Sequence, residues 1–319
     1  MVAPTIYISL LCGVAVLVLC DSAELYVPQG LAGDFDSQLQ HILEEQLILS
    51  PQDPVITRAL ADVRATLDQR WTGYELIVYG SLGAGLGTRG SDLDLAVRLP
   101  TFNASDGLYV LTELMKLIKN QPELYARPRI HDVTGHGPVF LPGYGLYMLI
   151  IFYLQQKNLV PSGYMIQVNS TAHCIEGWNV DFNELPYNTT NTESLHQLLG
   201  GFFKYYSEFN FEEYLVTPFT GRPTPRNAST DIFMCPKECT SYNNTKNCTM
   251  QHPNVDTCIY NFDSEISIQD IFRRDENVAI WMTHERVTKF KHLMKSTAAM
   301  FEDLPSGEIL SALLGKAIR

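Results

Sequence analysis

The sequence predicts an α+β protein, and its 319 residues are enough for two lobes. Three observations support this class. Residues 76–99 contain two short apolar strands that flank a loop rich in glycine. Apolar residues recur at helical spacing on both sides of that stretch. Residues 144–155 are almost entirely apolar, which is typical of a helix buried on all sides.

The composition is that of a globular protein, with 45% hydrophobic and 18% charged residues. The formal net charge is −12, whereas proteins that bind nucleic acid by broad electrostatic attraction are basic. The charge therefore excludes broad binding of that kind. Any contact with nucleic acid must use a local basic patch or a short chain end.

Two helices are predicted before the glycine-rich stretch. Apolar residues occur at helical spacing from about Asp34 to Leu49, and Ser50 and Pro51 then end the pattern. A second amphipathic helix is predicted from Val55 to Trp71. A third is predicted after the stretch, from Tyr109 to Lys119. Each should turn its apolar face towards the core.

The glycine-rich stretch holds the candidate site. Residues 76–78 predict a short buried strand, and the backbone N–H groups of Gly80 and Ser81 that follow can hold phosphate oxygens. Asp92 and Asp94 are two residues apart on the next predicted strand, so both carboxylates lie on one face. A divalent cation would remove their repulsion. The stretch predicts a nucleoside triphosphate site with a metal ion; the alternative is a surface loop before a strand with two solvated aspartates.

The fuller pattern, YGSLGAGLGTRGSDLDLAV, resembles the DNA polymerase beta-like nucleotidyltransferases. Within them it is similar to the noncanonical poly(A) polymerases and terminal uridylyltransferases, and matching stretches run from about Phe35 to Asp303. The resemblance implies a core of mixed sheet with helices, apparently truncated, and a mainly helical poly(A)-polymerase-associated lobe. It also implies template-independent, magnesium-dependent transfer of adenylyl or uridylyl groups from a nucleoside triphosphate to the 3′ end of RNA.

The resemblance assigns parts to individual residues. Gly80 and Ser81 would bind the phosphates, and Asp92 and Asp94 would be the catalytic ligands of magnesium or manganese ions. Tyr144, at the start of the apolar helix, would stack on the base. The alternative for this residue is a tyrosine packed in the core with its hydroxyl bonded.

Residues 267–280 resemble the nucleotide-recognition stretch that closes the family's sequence. Phe272, Asn277 and Val278 fit its pattern, so Asn277 would contact the nucleotide. Members that prefer uridine nucleotides often carry His before this Asn, where this chain has Glu276. This difference counts against uracil selectivity and leaves adenylyl transfer open.

The last predicted helix runs from Val287 to Phe301 and carries Lys289, Lys291 and Lys295. A solvated helix face is one interpretation of these lysines. A local contact with the RNA backbone is the other, and it would satisfy the requirement that an acidic protein bind RNA through a limited patch.

The sequence departs from the family after Gly135. Family members carry a third Asp on a later strand and then a helix with lysines that contact the triphosphate, and neither is recognisable here. A strand predicted at Ala126–Val133 leads almost directly into the apolar helix. Asp132 and Asp181 are the remaining candidates for the third carboxylate. Because this group positions or activates the attacking hydroxyl, its loss predicts a much lower rate.

Five segments are expected: a leader or disordered stretch at 1–30, the nucleotidyltransferase core with its N-terminal helices at 31–140, a helical central domain at 141–221, an insert at 222–262, and the return of the helical domain at 263–319. The insert is rich in Asn and Thr and carries Cys235, Cys239, Cys248 and Cys258. These could form disulfides, stay free or bind zinc, although the second half lacks the close pair typical of zinc sites.

The first thirty residues leave the compartment open. Ile6–Leu19 resembles the apolar core of a signal peptide, but no Lys or Arg precedes it, and it is short for a membrane span. Because the family acts on RNA inside cells, we expect a cytoplasmic protein without a stable membrane span; mitochondrial or secreted locations are the alternatives. Secretion would be supported by six sequons, at Asn103, Asn169, Asn188, Asn227, Asn243 and Asn247.

Other functions remain open. A member without the third carboxylate could act as a catalytically impaired nucleotide- or RNA-binding scaffold. The leader, sequons and cysteines instead favour a secreted binding protein with disulfides. Transfer to a small molecule is a further alternative, and the resemblance of residues 175–215 and 267–280 to the RNA-modifying family argues against it. No sequence feature indicates the oligomeric state.

Overall fold

The structure is a computed structural model that divides into two compact units. The large unit comprises Met1–Gln40 and Pro138–Arg319, and the small unit comprises His41–Gly137. The residues that the structure describes are 32–45, 52–83, 93–99, 107–120, 143–168, 170, 174–175, 178–183, 187, 191–226 and 264–317. The predicted strand at 126–133, Asp132 and the cysteines of the insert lie outside the described residues.

The described helices are α1 Phe35–Glu45, α2 Pro54–Leu67, α3 Gly80–Gly83, α4 Gly107–Lys119, α5 Gly143–Gln156, α6 Gly163–Gln167, α7 Leu195–Glu208, α8 His284–Asp303 and α9 Ser306–Ala317. The described strands are β1 Glu75–Tyr79, β2 Asp94–Arg98, β3 Cys174–Ile175, β4 Trp178–Asn179, β5 Tyr214–Leu215 and β6 Thr224–Pro225.

In the small unit, α2 starts where the sequence predicts and ends four residues earlier. Asp53 caps the helix, because its Oδ1 accepts a hydrogen bond of 2.9 Å from Val55 N, and Pro54 occupies the first turn. Leu67 is buried, and so is Trp71, which lies beyond the turn that follows the helix. The apolar pattern of Val55–Trp71 therefore includes a buried residue, Trp71, that lies beyond the end of the helix.

The strands β1 and β2 pair antiparallel, from Glu75 opposite Arg98 to Tyr79 opposite Asp94. The second strand begins at Asp94, later than predicted, and its ladder with β1 ends where the chain turns into α3 at Gly80. Residues 76–78 are half-buried rather than buried. In the described part of the chain, β2 is the one strand that pairs with β1.

The core of the large unit forms around α5, which is buried on nearly all sides as predicted. Leu149 and Phe152 are fully buried. Across from them, the Tyr206 hydroxyl of α7 donates a 2.6 Å hydrogen bond to the carbonyl of Leu149. The first turn of α7 is closed by a capping box between Ser194 and Gln197. Packing and capping together set the position of α7.

The C-terminal part contains one helix more than the sequence predicts. The predicted helix at 287–301 is the middle of α8, and α9 follows with Ile309, Leu310 and Leu313 buried. The N-terminus of α1 contacts α9, because Phe35 N donates a 3.0 Å hydrogen bond to Ser306 Oγ. No helix among the described residues is long and apolar enough to cross a membrane.

Candidate active site

The turn α3 brings Gly80 against the carboxylate of Asp94. Gly80 has a φ of +65°, a conformation that side chains disfavour. A Cβ at this position would collide with Asp94 Oδ2 and would lie 2.8 Å from Asp94 Cγ. The residue pair Tyr79–Asp94 closes the strand ladder directly beside this turn. The glycine is therefore required for the backbone of the turn to approach the carboxylate.

Two further residues hold the turn in place. Leu82 is fully buried. Gly83 comes close to the preceding strand, since a Cβ there would lie 2.7 Å from the carbonyl oxygen of Val78. The two residues that follow the Gly-Ser pair are thus held by packing.

The predicted site residues are described to different extents. Gly80 and Asp94 lie together, as the motif predicts. Ser81 belongs to α3, and its side chain is outside what the structure describes. Asp92 lies outside the described residues altogether. Within the described part of the chain, no three His, Cys, Asp or Glu side chains form a group that could hold a metal ion.

Tyr144 begins the first turn of α5 and remains 42% exposed, unlike the buried residues that follow it in the helix. Partial burial, and then the carboxylates of Asp270 and Glu276, raise the pKa of its hydroxyl well above the usual range. The hydroxyl therefore stays protonated at neutral pH and can donate to Asp270. A ring held at one end, with exposed surface, is suited to stacking on a base.

The loop 270–277 is built around Asp270 and Asn277. Asp270 Oδ1 accepts hydrogen bonds of 2.7 Å from the backbone N–H groups of Phe272 and Arg273. Asp270 N donates to the carbonyl of Glu276 at 3.0 Å and closes the loop. The same carboxylate thus holds the loop and faces Tyr144.

Asn277 has a different position from the one its predicted contact with nucleotide would need. It is 2% exposed, and its Oδ1 accepts hydrogen bonds of 3.0 Å from the N–H groups of Ile268 and Ala279. Its Nδ2 is 3.4 Å from the carbonyl oxygen of Ile266. The side chain is therefore occupied by the backbone at the base of the loop, and the geometry makes Asn277 a positioning residue.

The sequence interpretation missed Asp270 and retained Asp181 as a possible catalytic carboxylate. An Asp whose side chain can accept hydrogen bonds from the N–H groups two and three residues later often starts a turn. This signal could have identified Asp270. Asp181 Oδ1 accepts from Phe182 N at 3.0 Å, and Asp181 N donates to Asn179 Oδ1. This carboxylate belongs to the turn after β4.

Residues 60–137 match the family model of the nucleotidyltransferase domain. The speckle targeted PIP5K1A-regulated poly(A) polymerase of Danio rerio is 36% identical over 104 residues, which cover 30% of this chain and 13% of that protein. The poly(A) RNA polymerase gld-2 homolog B of Drosophila melanogaster is 28% identical over 105 residues, covering 30% of this chain and 7% of that protein. The chain thus spans a small part of the length of either relative.

Solved structures with the same fold match most of the chain. The crystal structure of mtPAP in complex with UTP has a TM-score of 0.66 at 16% identity and covers 93% of this chain and 76% of that one. The Cid1 poly(U) polymerase with 3′-dATP has a TM-score of 0.61 at 16% identity and covers 86% of this chain and 96% of that one. At such identities the likeness establishes the fold.

The fold is therefore that of the DNA polymerase beta-like nucleotidyltransferases, with α+β core and helical lobe as predicted. Within that class, the two relatives described above carry the name poly(A) polymerase, and the solved structures with this fold are mtPAP and the Cid1 poly(U) polymerase.

Proposed function

We propose that this chain transfers adenylyl or uridylyl groups from a nucleoside triphosphate to the 3′ end of RNA without a template. The observation that carries the proposal is the approach of the Gly80 turn to the Asp94 carboxylate. A turn that exposes backbone N–H groups beside a carboxylate suits a triphosphate and its metal ion. The names of the two relatives, both poly(A) polymerases, support the same reaction.

The small unit would supply the phosphate and metal contacts. Gly80 and Ser81 would hold phosphate oxygens through the backbone, and Asp94 with Asp92 would hold magnesium or manganese. The donor chemistry suits such an ion, because magnesium prefers carboxylate oxygens and the Asp94 carboxylate lies directly against the Gly80 turn. When bound, the ion would neutralise charge that develops on the phosphate oxygens. Asp92 and Asp94 would hold it beside the phosphates that the Gly80 turn binds.

The large unit would supply the base contact. Tyr144 would stack on the base with its exposed ring face, while the carboxylate of Asp270 near its hydroxyl favours the protonated form. Asn277 would act through the loop: it holds the backbone that carries Asp270 and Glu276. The proposal includes both adenylyl and uridylyl transfer, because solved structures with this fold bind ATPγS, UTP, GTP or CTP.

A second candidate is a catalytically impaired member that binds nucleotide or RNA. The departure of the sequence from the family after Gly135 favours it, since a third carboxylate is not identifiable there. Such a protein would keep the Gly80 turn and Tyr144 and would bind nucleotide without measurable transfer.

Primer extension tests the proposal. A labelled single-stranded RNA is incubated with each nucleoside triphosphate in turn, and with magnesium or manganese. Asp94→Asn should lower extension at least about 100-fold, because it removes a charge that the transition state requires. Asp62→Asn, a matched change on α2, should leave extension unchanged. No extension by a folded wild-type chain with any nucleotide would exclude transfer and leave the binding function.

A further inference from the structure

A cavity of about 590 Å³ lies at the C-terminal end of α5, within the large unit. We call it the α6 pocket; its walls include Gln155, Pro161, Tyr164, Tyr187, Phe219 and Arg222. With a rise of 1.5 Å per residue, Gln155 lies about 16 Å along α5 from Tyr144. The α6 pocket is therefore a separate site from the candidate base contact at Tyr144, and its volume is in the range of small-molecule sites.

Tyr164 presents an aromatic face to this pocket. Its side chain is 51% exposed, and its ring lies edge-on to Phe219 with 6.1 Å between the ring centroids. The backbone beneath it is held close, because Tyr164 N donates a 2.8 Å hydrogen bond to the carbonyl of Phe219. A Cβ at Gly163 would lie 3.1 Å from Phe219 Cα, so this approach needs glycine. A fixed and exposed aromatic ring is a platform for stacking.

Gln155 places an unsatisfied acceptor beside the same pocket. Its Nε2 donates to the carbonyls of Pro161 at 3.0 Å and Pro218 at 2.9 Å, which fixes the orientation of the amide. The residue is 7% exposed, and its Oε1 has no hydrogen-bond partner among the described residues. The oxygen itself is closed to solvent, so Gln155 contributes a fixed wall of the pocket rather than a contact for its occupant.

Arg222 decides the charge of the occupant. Among the described residues that line the pocket, it alone is charged, and no carboxylate accompanies it. The side chain is exposed and forms no ion pair with another described residue. A guanidinium at the rim of an aromatic pocket attracts an anion and suits phosphate in particular.

We propose that the α6 pocket binds one nucleotide residue, with its base on Tyr164 and its phosphate at Arg222. This ligand combines the flat ring and the negative charge that the two residues select. The nucleotide could belong to RNA or be free in solution. A proline-rich peptide would also fit aromatic walls, but it offers no anion for Arg222.

The pocket also adjoins the loop that faces Tyr144. The Arg274 guanidinium carbon lies 4.3 Å from the ring centroid of Phe219 and 5.1 Å from that of Trp178. Arg274 belongs to the loop 270–277 and packs on Phe219. An occupant of the pocket that contacts Phe219 would therefore contact a residue that supports this loop.

RNA binding by the full chain tests the proposal without requiring transfer. The protein carries Asp94→Asn to prevent extension, and no nucleotide other than the labelled RNA is present. Fluorescence anisotropy then gives the affinity for labelled single-stranded oligo(A) and oligo(U). Tyr164→Ala should weaken binding about tenfold or more through lost stacking. Arg222→Gln should lower the salt dependence by about one phosphate contact. The controls Val168→Ala and Arg58→Gln should match the parent protein.

Competition with AMP and UMP separates the two sources of nucleotide. Displacement of RNA by a mononucleotide, lost in Tyr164→Ala, indicates a site for free nucleotide, whereas resistance to displacement indicates a site for a residue within RNA. Unchanged RNA affinity in both pocket variants would overturn the proposal. So would a folded protein that binds neither ligand, or a decaproline peptide that binds in a Tyr164-dependent way while RNA binding is intact. Failure of primer extension alone would leave this result unaffected.

Discussion

At position 80 a hydrogen atom stands where any other residue would carry a Cβ, and that hydrogen faces the Asp94 carboxylate. The motif predicted that both residues belong to one nucleotide site. It could not predict the contact itself, which depends on the positive φ of Gly80 and on the last pair of the ladder.

Gly80→Ala should abolish most of the proposed transfer while the chain still folds. The Cβ would displace the Asp94 carboxylate, and the positive φ would add a backbone cost of about 1–3 kcal/mol. Primer extension and urea unfolding measure the two effects. Gly73→Ala is the matched control, since Gly73 has a φ of +69° and no atom within 4 Å of a Cβ. Equal loss of extension in both variants would contradict a specific effect at Asp94.

The exposed ring of Tyr144 predicts a role in binding the nucleoside triphosphate. Tyr144→Ala should raise the KM for the nucleoside triphosphate about tenfold through lost stacking, and Tyr144→Phe should change it much less. The comparison is made by initial rates of primer extension across triphosphate concentrations. If the Phe variant is as impaired as the Ala variant, the hydroxyl and its contact with Asp270 matter more than the ring.

At the scale of elements, the loop 270–277 differs most from what the sequence predicts. The Asn-Val pair marked the correct stretch, but the direction of the Asn277 side chain depends on backbone groups at Ile268 and Ala279. The helix α9 was missed for a related reason. It is only 12 residues long, and contacts with α1 and α8 rather than a long periodic pattern stabilise it.

Asn277→Ala should lower the free energy of unfolding by at least about 2 kcal/mol, because two buried N–H groups lose their acceptor. Urea unfolding followed by circular dichroism measures the loss. Asn210→Ala is the control: its Oδ1 accepts from Glu212 N and Glu213 N in the same manner but in an exposed turn, where water can replace it. A weaker nucleotide affinity without any loss of stability would instead support direct contact by Asn277.

At the scale of the whole molecule, aromatic packing in the large unit sets the pH range of stability. Tyr153, Tyr205 and Tyr206 lie between α5 and α7, with ring centroids of neighbours 5.1–5.8 Å apart. Burial raises the pKa of the Tyr205 hydroxyl to about 12 and that of Tyr206 further. In the unfolded chain these groups return to the ordinary value near 10.

Stability should therefore fall as the pH rises above 10 and should be independent of these tyrosines below it. Between pH 10 and 12 the unfolded state has released protons that the folded state keeps, so alkali favours unfolding. Urea midpoints across this range, with tyrosinate absorbance as a second signal, check the prediction. Tyr205→Phe should flatten the dependence, and Tyr164→Phe, an exposed control, should not. A dependence unchanged by Tyr205→Phe would assign the effect to other groups.

The fold class and most of the helices could be predicted from the sequence, and so could the place of Gly80 and Asp94 in one candidate nucleotide site. These features follow from the spacing of residues close together in the chain, which sets helical and strand periods and the composition of turns. Three arrangements are visible only in the tertiary structure. Asp270 lies near the Tyr144 hydroxyl, and Asn277 is buried. Gln155, Tyr164 and Arg222 line one pocket. Such arrangements depend on contacts between distant segments, and packing sets those contacts independently of local spacing.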